Sequence, residues 1–260
     1  MIDITLEALL EAGCHFGHQT RRWNPKMGQY IHAARDGVHI FDLAKTRQGL
    51  LDAYQAVLDT VSKGGVVLFV GTKRQAKDLV RDAAKRVGMP YVTTRWLGGT
   101  LTNFDQVKKS IKKLKDLREG LEKGGKYEEY TKKERLLIER EILRLEHLFG
   151  GVVTLSQKPQ MLFIIDTHKE VSAVLEANRL EIPIVGVVDT NANPTLIDYP
   201  IPANDDAVKS IGIIIDFVSK AVEEGKGTLA KQRAKDDKAK EAKDKADKEA
   251  EEKAIAETTG

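Results

Sequence analysis

Gly71-Thr72-Lys73 follows the apolar run Val66–Val70 and leads into an amphipathic stretch. At such a turn, backbone N–H groups and a helix N-terminus can hold a phosphate. The phosphate-loop pattern Gly-x-x-x-x-Gly-Lys-Ser/Thr needs an earlier glycine and a hydroxyl after the lysine, and this segment has neither. No Gly-x-Gly-x-x-Gly follows any apolar run, and Gly98-Gly99-Thr100 reads as a plain strand-to-helix turn. A second group is His15-Phe16-Gly17-His18 with the downstream acids Asp189, Asp205 and Asp206. A metal would need several of these to converge. Spacing alone does not bring them together, and structural histidines in a glycine-containing turn are commoner, so neither a metal nor a cofactor is expected. Asp189-Thr190-Asn191 closes an apolar run, at the edge where doubly wound enzymes bind ligands. Cys14 is the single cysteine, which excludes a disulfide scaffold and a cysteine zinc site; its expected role is a small buried residue after a helix.

The basic segments differ in kind. Arg21-Arg22-Trp23-Asn24-Pro25-Lys26 has turn chemistry, and Arg95-Trp96-Leu97-Gly98-Gly99-Thr100 leads on to Lys108-Lys109 and Lys112-Lys113. Guanidinium and ammonium groups contact phosphate, and Trp stacks on unpaired bases. Arg21, Arg22, Trp23, Lys26, Lys73, Arg74, Arg95, Trp96, Lys108, Lys109, Lys112 and Lys113 are therefore the candidate RNA contacts, with no catalytic residue among them. The alternative for Trp23 and Trp96 is packing, and for the lysines a solvated helix face.

Short apolar runs alternate with amphipathic helices along the chain. Val38–Phe41, Val66–Val70, a run from Pro90, Met161–Ile165 and Ile184–Val188 are the five expected strands. Between them the spacing predicts helices from Thr46, after Lys73 and over Glu170–Leu180. A last helix is expected after Asn204, with Asp205 and Asp206 in its first turn and Val208, Ile211, Ile215, Val218 and Val222 inward. Near-continuous apolar strands with intervening helices predict an α/β fold, a five-stranded parallel sheet covered on both faces. Val107, Ile111, Leu114 and Leu121 form one heptad-like stripe, and Ile138, Ile142, Leu145 and Phe149 another. Thr131-Lys132-Lys133-Glu134 has capping-box spacing. An antiparallel coiled-coil hairpin over 105–149 is expected as a protruding arm inserted into an α/β domain of residues 1–104 and 150–225. Residues 226–260 hold 19 charged side chains and no aromatic, and are expected to be a disordered, solvated tail.

The net charge of +3 hides a division. Residues 15–118 carry 20 basic and 8 acidic groups, net +12, whereas 181–224 carry 2 and 8, net −6. A polyanionic partner for the first half follows. No apolar run approaches the roughly 20 residues needed to cross a bilayer. The N-terminus, with three acids and no Lys or Arg before Cys14, has the wrong charge for a targeting peptide. A soluble cytosolic protein is expected.

Ala12-Gly13-Cys14-His15-Phe16-Gly17-His18 with Arg22-Trp23-Asn24-Pro25 resembles the N-terminal signature of the family of bacterial small-subunit ribosomal protein two. Phe69–Lys73, Arg95–Phe104, Thr131–Glu134, Ile182–Val185, Asp189–Asn191 and Ile201–Ala207 extend the resemblance to about residue 224, leaving the tail outside it. Ala192, and Lys158-Pro159-Gln160, depart from the family pattern without touching an arguable role. The resemblance implies a Rossmann-like, flavodoxin-like domain with a coiled-coil hairpin, assembled on small-subunit rRNA in the cytoplasmic ribosome, without catalysis. It also implies neighbouring ribosomal proteins as partners, including the large, OB-fold-containing ribosomal protein one, and neither a membrane nor a small-molecule substrate. The competing reading is an enzyme that holds a phosphorylated metabolite in the strand-end crevice near Gly71 and Asp189.

Overall fold

The computed structural model describes residues 4–122 and 125–232. The chain runs through α1 (Leu6–Glu11), β1 (Phe16–Gln19), β2 (Ile31–Arg35), β3 (Val38–Phe41), α2 (Leu43–Ser62), β4 (Val67–Val70), α3 (Lys77–Arg86) and β5 (Tyr91–Val92). It continues with α4 (Phe104–Leu121), α5 (Lys132–Phe149), β6 (Met161–Ile165), α6 (Val171–Arg179), β7 (Ile184–Val188), β8 (Tyr199–Pro202) and α7 over 208–232.

The principal sheet has the order β5-β4-β6-β7-β8, every pair parallel. Numbered within the sheet this is 2-1-3-4-5, the flavodoxin-like winding, and its switch point lies between β4 and β6. Burial on both faces explains the unbroken apolar strands: every residue of β4, β6 and β7 is buried. Their side chains alternate between two cores. Phe69, Phe163, Val185, Val187 and Ile201 enter one core with α2, α3 and α7; Leu68, Val70, Leu162, Ile164 and Val188 enter the other with α4 and α6. Phe69 and Phe163 meet edge-on, with ring centroids 5.2 Å apart.

The expected five-stranded parallel sheet is present, but one member differs. Val38–Phe41 is the centre of a separate antiparallel sheet, β1-β3-β2, and the fifth parallel strand is β8. Asp36-Gly37 explains the first change: both have positive φ (51° and 76°), forming the two-residue hairpin turn that joins β2 to β3. Pro200 and Pro202 explain the second, since prolines disguise a strand and are tolerated at a sheet edge. That edge is covered by α2. Thr46 donates to the Pro202 carbonyl at 2.6 Å, and a Cβ at position 49 would lie 2.5 Å from the Pro200 carbonyl oxygen, so close approach requires Gly49.

Other expectations need correction. α2 starts at Leu43 rather than Thr46, because Asp42 caps it by accepting the Ala44 amide at 3.0 Å. α7 begins after Asp205 and Asp206, and Val208 is exposed, while Ile211, Ile215, Val218 and Val222 face inward as expected. α7 also continues through residue 232, into the segment expected to be disordered. Lys226 donates to the Val87 and Gly88 carbonyls at the end of α3, which fastens this extension. Residues 233–260, the rest of that segment, lie outside the described residues.

The helices α4 and α5 pack against each other, and the Thr131–Glu134 capping box is formed. They are not equally remote from the core. Phe104, Val107 and Ile111 are buried in the second core with Trp96 and Val152, so the first half of α4 belongs to the α/β body. Along α5 only Leu145 is buried, while Leu136, Leu137 and Leu143 are exposed.

Candidate functional site

The winding brings the carboxyl ends of β4, β6, β7 and β8 to one edge, and each delivers a charged residue there. Lys73 follows β4, Asp166 follows β6, Asp189 follows β7, and Asp205 and Asp206 follow β8. His18 arrives from β1, whose loop is tied to the β7 end: the His18 amide donates to Thr190 Oγ1 at 2.8 Å and the Asn24 amide to the Thr190 carbonyl at 2.7 Å. Lys73 Nζ lies 2.6 Å from Asp205, 2.7 Å from Asp206 and 3.4 Å from Asp166. His18 Nδ1 is 2.9 Å from Asp189 Oδ1, and its Nε2 is 3.7 Å from Asp206.

Four aspartates thus surround one lysine and one histidine. Asp205, 1% exposed, is pushed up to about 8, first by burial and then by the charges of Asp189 and Asp166. Burial alone would lower the Lys73 ammonium, but its hydrogen bonds and charge interactions with Asp205, Asp206 and Asp166 outweigh that and hold it above its ordinary value. The Asp189 hydrogen bond likewise raises His18 against the effect of burial. His18, Asp189 and Asp205 present donor atoms within 4.8 Å of one another, a set able to hold a divalent cation. In the described arrangement Asp205 is already engaged by Lys73.

This crevice is ill suited to a nucleotide phosphate. The Thr72 amide, which a phosphate loop would offer to the ligand, donates to Glu170 at 3.2 Å, and the Thr72 hydroxyl donates to the same carboxylate. Gly71 is small for packing rather than for phosphate approach, since a Cβ there would lie 2.9 Å from Val80. α3 begins only at Lys77, beyond Lys73. The carboxylates repel an anion, Lys73 is already neutralised by them, and Lys169 donates to the Thr72 carbonyl at 3.2 Å.

Lys73 is therefore corrected as a candidate RNA contact: its side chain is 14% exposed and spent on three aspartates. Trp96 is corrected too. It is 7% exposed, and its indole N–H donates to Glu176 at 3.1 Å, so it packs rather than stacks on a base. Trp23 is 40% exposed, one side of its indole against His39 with ring centroids 5.1 Å apart. Arg21, Arg22, Arg74, Arg95, Lys108, Lys109 and Lys112 are exposed and form no ion pair among the described residues. Lys26 reaches Thr195 Oγ1 at 3.2 Å, and Lys108 lies over the Phe104 ring. Lys113 is 2.8 Å from Glu141, which Arg144 and Lys113 together hold down to about 2.

Asp166, Glu170 and Glu176 do not stand out in the sequence. Asp166 had a usable signal, since it ends an apolar strand as Asp189 does. The two glutamates lie at and within an amphipathic helix, where periodicity treats every acid as solvated.

The family model described as Ribosomal protein S2 matches residues 9–225. A protein of Endomicrobium trichonymphae named small ribosomal subunit protein uS2 is 48% identical over 241 residues, covering 93% of this chain and 98% of its own. Proteins of the same name from Roseiflexus sp. (strain RS-1) and Mesorhizobium japonicum are 52% and 51% identical. The first covers 85% of this chain and 84% of its own length, the second 86% and 85%. With a crevice filled by its own side chains, a basic half with exposed arginines and lysines, and a match spanning most of its length, the chain belongs to the ribosomal protein S2 family.

Proposed function

We propose that this chain is a structural constituent of the small ribosomal subunit that meets rRNA through the basic surface of its first half. The observation carrying the reading is the set of exposed cations without carboxylate partners among the described residues, at Arg21, Arg22, Arg74, Arg95, Lys108, Lys109 and Lys112. Cations committed to internal ion pairs have little left for phosphate, and these keep their charge unpaired among the described residues, although Arg21 donates to Gln19 and Lys108 lies over Phe104. Trp23, exposed beside Arg22, supplies a ring for an unpaired base. The role is not enzymatic, as the charged crevice is occupied by internal contacts and the family is a ribosomal one.

Family membership also supports neighbouring small-subunit proteins as partners, with the large OB-fold-containing ribosomal protein one among them. No helix of the described residues is long and apolar enough to cross a membrane, and the working location is the ribosome. The block 105–149 is read as a helical module attached to the α/β body through α4. Sedimentation of lysate through a sucrose gradient tests the reading: the protein should travel with small subunits, and a pool found wholly at the top of the gradient would refute it.

A further inference from the structure

The loop joining β5 to α4 carries Arg95 at one end and leads to Lys108, Lys109 and Lys112 at the other. Its conformation is irregular: Gly99 has φ +89°, and the Thr100 hydroxyl donates back to the Leu97 carbonyl at 2.5 Å. Such a loop loses considerable chain entropy on ordering and needs an external anchor. One carboxylate supplies it. Glu176, on α6 and about 75 residues away in sequence, accepts the Trp96 indole N–H at 3.1 Å and the Gly99 amide at 2.8 Å on Oε1. On Oε2 it accepts the Leu101 amide at 2.9 Å, the Thr102 amide at 3.1 Å and the Thr102 hydroxyl at 3.2 Å. Burial would raise this carboxyl group, but the backbone and indole donors hold it below the ordinary carboxylate range.

Five donors from one short loop on one half-buried acid exceed what capping or solubility calls for. Charge-assisted hydrogen bonds are the strong ones, and shared acceptors fix direction as well as distance. Resting on the RNA reading above, we propose that Glu176 is the positioning residue of the rRNA-contacting surface, fixing loop 96–102 so that Arg95 meets phosphate beside the first turns of α4. Glu176 touches no phosphate itself. It acts through Arg95.

The test uses the full chain and small subunits stripped of this protein. Glu176→Gln, Arg95→Gln and the double variant are titrated onto the particles over a range of salt, and amide hydrogen exchange is followed at Gly99, Leu101 and Thr102. Glutamine keeps the shape but turns an NH₂ toward N–H donors. Exchange at the three amides should accelerate by about tenfold or more, and affinity should fall. The salt slope should flatten by about 0.7–0.9, the loss of one phosphate contact. The double variant should bind no more weakly than Arg95→Gln. A merely structural glutamate would lower the melting temperature and leave that slope alone. Unchanged exchange, faster exchange with wild-type binding, or fully additive losses in the double variant would each overturn the proposal. If Arg95→Gln, Lys108→Gln and Lys112→Gln all keep wild-type affinity and slope, the RNA reading itself fails and this role falls with it, whatever the exchange at the loop.

Discussion

Replacing Lys73 with Met removes the cation that three aspartates share while keeping most of the side-chain volume. The cost follows from burial. Asp206 is 55% exposed, so its pair with Lys73 is screened and contributes under about 1 kcal/mol. Asp205 and Asp166, 1% and 9% exposed, would lose the cation beside them in a closed crevice and would either stay charged at a cost or bind a proton. Breaking a buried pair from one side costs about 3–5 kcal/mol, equivalent to a fall in melting temperature of about 10 °C for a chain of this size. The pH dependence has a definite sign. Asp205, at about 8 in the fold and about 3.9 when unfolded, binds a proton more tightly folded. Its contribution is fully present below the unfolded value and is lost as pH rises through the folded one. Without Lys73 the Asp205 carboxyl moves higher still, so near pH 8 the folded variant holds more of this proton than the wild type does, and its deficit shrinks between pH 8 and pH 5.5, by at most about 1.4 kcal/mol per pH unit. Adding Asp205→Asn to Lys73→Met should recover much of the loss. Urea denaturation followed by circular dichroism at the two pH values reads all of this. A loss below about 1 kcal/mol at pH 8, or a loss that grows toward pH 5.5, would refute the ion-pair account.

Isothermal titration with ATP, GTP and NAD should show no micromolar binding, because Glu170 holds the Thr72 amide and the aspartates repel phosphate; a micromolar dissociation constant for any of them would restore the enzymatic reading. Replacing 115–140 by a Gly/Ser linker should leave a cooperative melt. Replacing the whole of 105–149 should lower stability far more, because it strips Val107 and Ile111 from the second core, and equal melting temperatures for the two deletions would show that α4 is not part of the body.

Much of the fold is legible because parallel strands buried on both faces leave long apolar runs; Val67–Val70, Met161–Ile165 and Ile184–Val188 stand out for that reason. β8 does not, since edge strands tolerate proline and Tyr199-Pro200-Ile201-Pro202 reads as a breaker. Likewise, a stripe of apolar residues on α4 reports that one face is buried but not against what. In the crevice, Asp189 and the Gly71–Lys73 turn were visible as strand ends, whereas their convergence with Asp166, Asp205 and His18 depends on a sheet order that spacing does not encode. Lys73 and Trp96 resemble RNA contacts in the sequence for the same reason: residue type names what a side chain can bind, and only packing decides whether solvent or Asp205 and Glu176 take it first.

The proposed function rests on exposed cations of the first half holding this protein on ribosomal phosphate. Its most direct test is a salt titration of binding to small subunits stripped of the protein, comparing wild type with a variant carrying Gln at Arg21, Arg22, Lys108 and Lys112. Each phosphate contact contributes roughly 0.7–0.9 to the slope of log affinity against log salt. The variant should therefore bind more weakly with a slope flatter by up to about 3.6, while Asp206→Asn keeps the wild-type slope. Identical slopes for wild type and the fourfold variant would mean that these side chains do not touch phosphate, and would contradict the account.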